Sequence, residues 1–235
     1  MYVSWRSSHS LLRSGPVRAG VLFAVASVGL HAQANERCVI RKADTVWTMD
    51  LDACRPNAVS VAEKAAALNL LPAEGAVTSL GAGERRKLDA IGSVLRVHRR
   101  DSVYDVRVIA VPQAWTGLHE RAVLLISLPA LRLLNAGELQ ALAAHEMAHE
   151  YVWQEYAEAR KQKDTKGMRE LELVCDAIAI RTLARAGVPP KRLQTAIKKV
   201  LRFNRERLGV ALNEDNYPSF KERMALLRRM SSLDR

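Results

Sequence analysis

Residues 145–149 read His-Glu-Met-Ala-His. Side chains four apart on an α-helix stand one above the other, so the imidazoles of His145 and His149 can reach a single metal ion. Glu146 lies about 100° further round the helix, beside that ion, where it can take a proton from a water that the metal activates. Chance produces this spacing in roughly one chain in a hundred at this composition, so a third ligand has to be sought elsewhere.

Two arrangements would supply it. The metzincin pattern needs Gly at 152 and His at 155, and the chain carries Val152 and Glu155 there, which excludes that class. The other pattern, Glu-x-x-x-Asp on a second helix, is met by Glu172-Leu-Val-Cys-Asp176. Its 23-residue separation from His149 leaves room for one helix to end, a loop to turn and a second helix to return. Glu172 is therefore read as the third ligand. Glu170 competes, but Val174 rather than an aspartate lies four residues on. Asp176, one turn beyond Glu172, is placed to accept the free ring N–H of a ligand histidine and fix its tautomer. Two histidines, one glutamate and a water describe a catalytic site holding one Zn2+ per chain, with an open position.

The elements that must position these groups follow from the patterning. Asn135 is a helix N-cap with Glu138 at the capping-box position and Leu134/Leu139 as a hydrophobic staple, so the motif helix is expected from Ala136 to about Ala159. Val103–Val111 and Ala122–Leu128 read as strands, with Pro112–His119 as a connector carrying Trp115. Helices are expected over about Val59–Leu71, Glu84–Val97, Met168–Ala186, Lys191–Leu208 and Ser219–Ser231, with Lys161–Gly167 as an exposed loop. The fold class is α+β, mostly helical, with a small sheet packed on the motif helix.

With those residues in place, the chain resembles the HtpX and CAAX-prenyl-protease family of gluzincin metallopeptidases, its soluble periplasmic members above all. The resemblance rests on Leu139–His149, on Glu-Leu-Val-Cys-Asp-Ala from Glu172, and on Pro218-Ser219 ahead of Arg223; it covers roughly Val103 to Leu227. It implies a thermolysin-like core in which substrate lies along an edge strand, here about Leu124 to Leu128. It also sets Gln113-Ala114-Trp115 in the place of an Asn-Ala-aromatic segment. The family commonly has His-Pro-Ser near the C-terminus where this chain has Tyr217-Pro218-Ser219. A tyrosine hydroxyl can donate the hydrogen bond that a histidine would give to a transition-state oxyanion, and packing is the alternative role. No tetratricopeptide repeat accompanies the motifs.

The first 34 residues carry Arg6, Arg13 and Arg18 without an acid, then an apolar run from Ala19 to Leu30, then Ala32-Gln33-Ala34. That is the layout of a signal peptide cleaved after Ala34, with an uncleaved membrane anchor as the alternative, and it predicts export; the resemblance implies the periplasm. Asn35-Glu36-Arg37 before Cys38 does not suit a lipoprotein. Residues 35–102 are then an N-terminal extension with helices, and residues 103–235 the catalytic core. In an oxidising compartment Cys38 and Cys54 are expected to pair, leaving Cys175 as a buried thiol.

The formal charge of +11 falls to +8 without the three signal arginines. That suits peripheral contact with anionic membrane or envelope surfaces. No nucleic-acid signature accompanies the charge. The oligomeric state is not legible.

His98 and His119 lack a partner at ligand spacing and read as surface or loop residues. Trp153 reads as packing beside the site, and Arg223 as an anchor for the last helix. Leu171, Val174, Cys175, Ile178 and Leu183 read as an apolar packing stripe. The resulting expectation is a zinc endopeptidase acting on protein or peptide substrates of the cell envelope, with Glu146 as base. A non-proteolytic or self-inhibited chaperone or binding protein on the same scaffold is the alternative, and a hydrolase of cell-wall peptides a further one.

Overall fold

The structure, a computed structural model, describes residues 41–43, 46–71, 75–209 and 217–233. The signal-peptide segment and Cys38, and with it the expected Cys38–Cys54 pair, lie outside the described residues.

The architecture is mostly helical with a small three-stranded sheet, as expected. Strands β1 (Arg41–Ala43) and β2 (Val46–Thr48) pair antiparallel. Helices α1 (Val61–Asn69), α2 (Ala82–Ala90) and α3 (Gly92–Val97) precede the main sheet. That sheet is β3 (Asp105–Ile109), β4 (Thr116–His119) and β5 (Val123–Ser127), in the order β3-β5-β4. A short helix α4 (Leu128–Leu133) leads to α5 (Ala136–Ala148), then one 3-10 turn (His149–Val152) and α6 (Trp153–Lys161). Helices α7 (Thr165–Arg185), α8 (Lys191–Leu208) and α9 (Phe220–Leu233) follow. No helix among the described residues is long and apolar enough to cross a membrane.

Helix α5 is the axis of the fold. Asn135 Oδ1 accepts from the Glu138 N–H at 2.9 Å, and Glu138 Oε2 accepts from the Asn135 N–H at 3.0 Å, which completes the expected capping box. Lys199 of α8 adds an ion pair to Glu138 at 2.8 Å. The helix carries Ala141, Ala143, Ala144 and Ala148, all buried, and these short side chains let α7 and α8 approach closely. Larger residues, Leu139, Leu142 and Met147, fill the remaining space, and each fully buried one contributes about 1.5–3 kcal/mol.

Several expectations are corrected. The segment read as a connector over Pro112–His119 contains β4, which pairs antiparallel with β5. Strand β5, expected to be the substrate's edge strand over Leu124–Leu128, is the central strand, parallel to β3 on its other side. The outer side of β3 is covered by residues 75–77 through Val77 N–H to Val108 O (2.9 Å) and Ala110 N–H to Gly75 O (2.7 Å). The edge with no neighbouring strand among the described residues is therefore β4.

The β4–β5 turn is three residues long, Glu120 to Ala122, with Glu120 at φ 47° and Arg121 at φ 53°. The Ala122 N–H donates to the His119 carbonyl at 3.0 Å and closes a tight turn whose two central residues both need positive φ, which favours Asn and Gly. Here charged residues occupy it, and Arg121 is held by the Asn57 carbonyl and by Glu150 at 3.6 Å.

The motif helix does not run to Ala159. Val152 departs from helical geometry (φ −121°, ψ 22°), so α5 ends at Ala148 and the chain re-enters a helix at Trp153. Glu84–Val97 is likewise two helices, because the Ala90 carbonyl accepts from the side chains of Gln140 (2.8 Å) and Ser93 (3.1 Å). The Lys161–Gly167 loop shrinks to three residues: Asp164 accepts from the Gly167 N–H at 2.9 Å and caps α7 from Thr165.

Beneath the motif, Met49, Leu51 and Cys54 pack on Ala148, Val152, Val174, Cys175 and Ile178. Arg181 of α7 donates to the Met49 carbonyl at 3.1 Å. The N-terminal extension thus forms a floor under the two helices that carry the candidate ligands.

Candidate metal centre

The capping box sets the register of α5, which presents His145 in its last turn and His149 at its C-cap. Helix α7 crosses it with Glu172 and Asp176 one turn apart on the facing side. One ligand atom from each of His145, His149 and Glu172 lies within 4.8 Å of the others, and all three residues are buried. His145 Nε2 stands 3.2 Å from Glu172 Oε2, and His149 Nε2 stands 3.7 Å from Glu172 Oε1. The two imidazoles meet edge to face, with centroids 5.2 Å apart.

This donor set fits a metal ion. His149 Nε2 and Glu172 Oε2 are buried polar atoms with no hydrogen-bond partner, an arrangement that costs free energy unless something else engages them. Two imidazoles and a carboxylate converging on one point supply such a partner's coordination.

The surrounding side chains orient the three candidates. Asp176 Oδ1 lies 2.9 Å from His145 Nδ1, the partnership read from the sequence. Arg223 of α9 grips Asp176 with two charge-assisted hydrogen bonds of 2.6 Å, from Nε to Oδ2 and from Nη2 to Oδ1. The anchoring role expected of Arg223 is thereby realised on the site itself. Tyr156 donates to Glu172 Oε1 at 3.2 Å and sets its ring edge to face on His149 at 5.2 Å. Cys175 Sγ lies 3.5 Å from His149 Nδ1. Cys175, read as packing, therefore touches a candidate ligand as well.

Protonation follows from these contacts. Burial pushes His149 down to about 4, which leaves the imidazole neutral and able to donate its lone pair. Burial also lowers His145, but its hydrogen bond to Asp176 and the nearby Glu172 carboxylate outweigh that and hold it above the ordinary histidine value. Burial raises Asp176, and the Arg223 guanidinium with the His145 bond more than reverses this, so Asp176 remains an anion.

Glu146 faces the same space without joining the cluster. Its Oε1 accepts from Thr116 Oγ1 at 2.8 Å, and its Oε2 is buried without a hydrogen-bond partner. A cleft opens there between β4, α5, α8 and the start of α9. Trp115, Leu142, Ile197, Val200 and Leu201 give it apolar walls; Glu146, His145 and Glu172 form its polar end; Tyr217 and Arg223 also line it. Tyr217 thus lines the cleft.

His98 and His119 stay apart from the cluster. His98 is not a surface residue: it is 1% exposed, its Nδ1 2.8 Å from the Tyr151 hydroxyl and its Nε2 3.0 Å from Thr182 Oγ1. Burial, with the nearby Arg100 cation, pushes it down to about 3, so it is a neutral core residue. His119 ends β4, half-buried, with Nε2 3.0 Å from the Ala67 carbonyl. Trp153 is half-buried against the main core.

Thr116, Tyr156 and the contact made by Cys175 were not anticipated. Only Cys175 had a signal in the sequence, since it lies three residues after Glu172 and so on the same helix face. The chain matches no known family profile and no curated protein.

Proposed function

We propose that this chain is a zinc-dependent endopeptidase with a thermolysin-like gluzincin core, of the HtpX and CAAX-prenyl-protease type that its motifs resemble. The observation carrying this reading is the division of labour among buried groups. Three side chains converge on one point, two of them, His149 and Glu172, with unsatisfied atoms, while a fourth, Glu146, stands outside them and faces the same cleft. A purely structural site would close with protein ligands on all sides.

His145, His149 and Glu172 would hold the Zn2+, which when bound supplies a Lewis acid that polarises a carbonyl and eases deprotonation of water. Glu146, steadied by Thr116, takes the proton of the attacking water on its free oxygen and returns it to the departing amine. Tyr217 donates a hydrogen bond to the oxygen that gains charge. An extended peptide adds to the open edge of β4, which begins at Thr116, beside Glu146. The apolar walls of the cleft receive a hydrophobic substrate side chain.

The substrates in this reading are misfolded or unassembled proteins of the cell envelope, met after export. That follows from the signal-peptide layout and the resemblance together.

The test is cleavage of casein by the wild type beside Glu146→Gln, with bound zinc measured in both. The variant is expected to keep its metal and lose 100-fold or more in turnover, the usual share of a general base. Equal turnover in the two proteins, or none in either, overturns the enzyme reading.

A further inference from the structure

We infer that Cys175 is a positioning residue for the metal: its sulfur accepts the Nδ1–H of His149 and so keeps Nε2 bare for the ion. The inference rests on the metal site proposed above and assigns a role to a thiol that the proposed mechanism leaves unused.

An imidazole that coordinates through Nε2 must carry its proton on Nδ1, and what Nδ1 meets decides whether that tautomer is favoured. For His145 the acceptor is a carboxylate, Asp176, at 2.9 Å. For His149 it is Cys175 Sγ at 3.5 Å, within reach of an N–H···S hydrogen bond. Both residues are buried, Cys175 completely. On the opposite side of the ring, Nε2 has no hydrogen-bond partner and faces Glu172. The ring is thus polarised by position alone: one nitrogen on an acceptor, the other turned toward the ligand cluster.

The arrangement is built into α7. Glu172, Cys175 and Asp176 stand at i, i+3 and i+4, so one helix face supplies a ligand and a backing group for each histidine. The two backing groups differ in kind: Asp176 is a carboxylate held by Arg223 through two hydrogen bonds of 2.6 Å, whereas Cys175 offers a single sulfur. A carboxylate orients its imidazole and raises its basicity; a neutral thiol, a weak acceptor, mainly orients.

Cys175→Ala and Cys175→Ser separate this from packing. In zinc-free wild type at mildly alkaline pH, imidazole nitrogen NMR is expected to show His149 protonated on Nδ1. In Cys175→Ala, His149 is expected to become a mixture of tautomers while His145 does not change. Zinc affinity, measured by competition with a chelator, should fall about tenfold, the lower end for loss of such a partner. Cys175→Ser, which restores an acceptor, should recover part of both. Zinc-free melting temperatures report any packing loss separately. Wild-type affinity and an unchanged His149 tautomer in Cys175→Ala would overturn the inference, as would an Nε2–H tautomer in the wild type. Failure of the wild type to bind zinc would instead reject the metal reading, and the tautomer of the zinc-free protein would still decide the thiol's role.

Discussion

Thr116 donates a 2.8 Å hydrogen bond to Glu146 across 30 residues of sequence, which joins the open strand of the sheet to the helix that carries the histidines. The bond occupies one carboxylate oxygen and leaves the other facing the cleft. In Thr116→Val, of similar shape, Glu146 would lose that orientation and keep its charge. About a tenfold loss of kcat is expected, a fraction of what a positioned base contributes, with zinc content unchanged. Unchanged kcat would mean that Thr116 does not orient the base.

Glu172 and Asp176 should separate in a metal assay. Glu172→Ala removes a ligand and is expected to abolish stoichiometric zinc. Asp176→Asn keeps all three ligands and should weaken affinity by about 10- to 100-fold. Thermal shift gives a second readout, because ligand at a hundred times its Kd stabilises a fold by about 2.7 kcal/mol. Glu172→Ala should lose that zinc-dependent shift. A full shift in this variant would refute the ligand assignment.

Arg100 and Glu150 form a nearly fully buried ion pair at 3.0 Å, and burial raises the Glu150 carboxyl although Arg100 opposes it. Arg100→Met leaves that carboxyl without its main partner, and a loss of about 3–5 kcal/mol is expected in urea unfolding. Adding Glu150→Gln should recover part of it, since the stranded charge is then gone. A loss under 1 kcal/mol in the single variant would show that Arg121 alone satisfies Glu150.

Glu138 predicts an acid-side dependence. Burial raises this carboxyl, but Lys199 and the Asn135 N–H more than offset that and hold it below the ordinary glutamate value. A folded-state value below the unfolded one contributes stability that is present above the unfolded value and lost as pH falls through the folded one. The wild type should therefore lose more stability than Glu138→Gln on going from pH 6 to pH 3. At pH 7 the variant, whose amide oxygen still accepts the Asn135 N–H, should be about 0.5 kcal/mol less stable through the lost ion pair with Lys199. Parallel pH profiles would remove Glu138 from the account.

The candidate ligands were readable in the sequence because their logic is local: each pair of functional residues lies four apart on one helix. The capping box around Asn135 is local too, and it holds. What failed was set by contacts between distant segments. Strand β4 is short and contains Gly117, a weak strand residue; the structure places the Trp115 ring where a Cβ at that position would come within 2.5 Å of Cζ3. The end of α5 depends on Val152 packing against Met49 and Leu51, a contact that crosses a hundred residues. His98, beside Arg99 and Arg100, looks like part of a solvated basic run; Tyr151 and Thr182 draw it into the core.

Glu150 follows directly on His149, and its carboxylate receives Arg100 from the chain before β3 and Arg121 from the strained β4–β5 turn. One acid thus ties the turn at the end of β4 to the residue that follows the candidate ligand His149. The dehydration cost of charged groups falls on heating, whereas the gain from apolar contact levels off. The alignment of the cleft with the candidate ligands should accordingly be among the last features of this molecule to loosen as temperature rises.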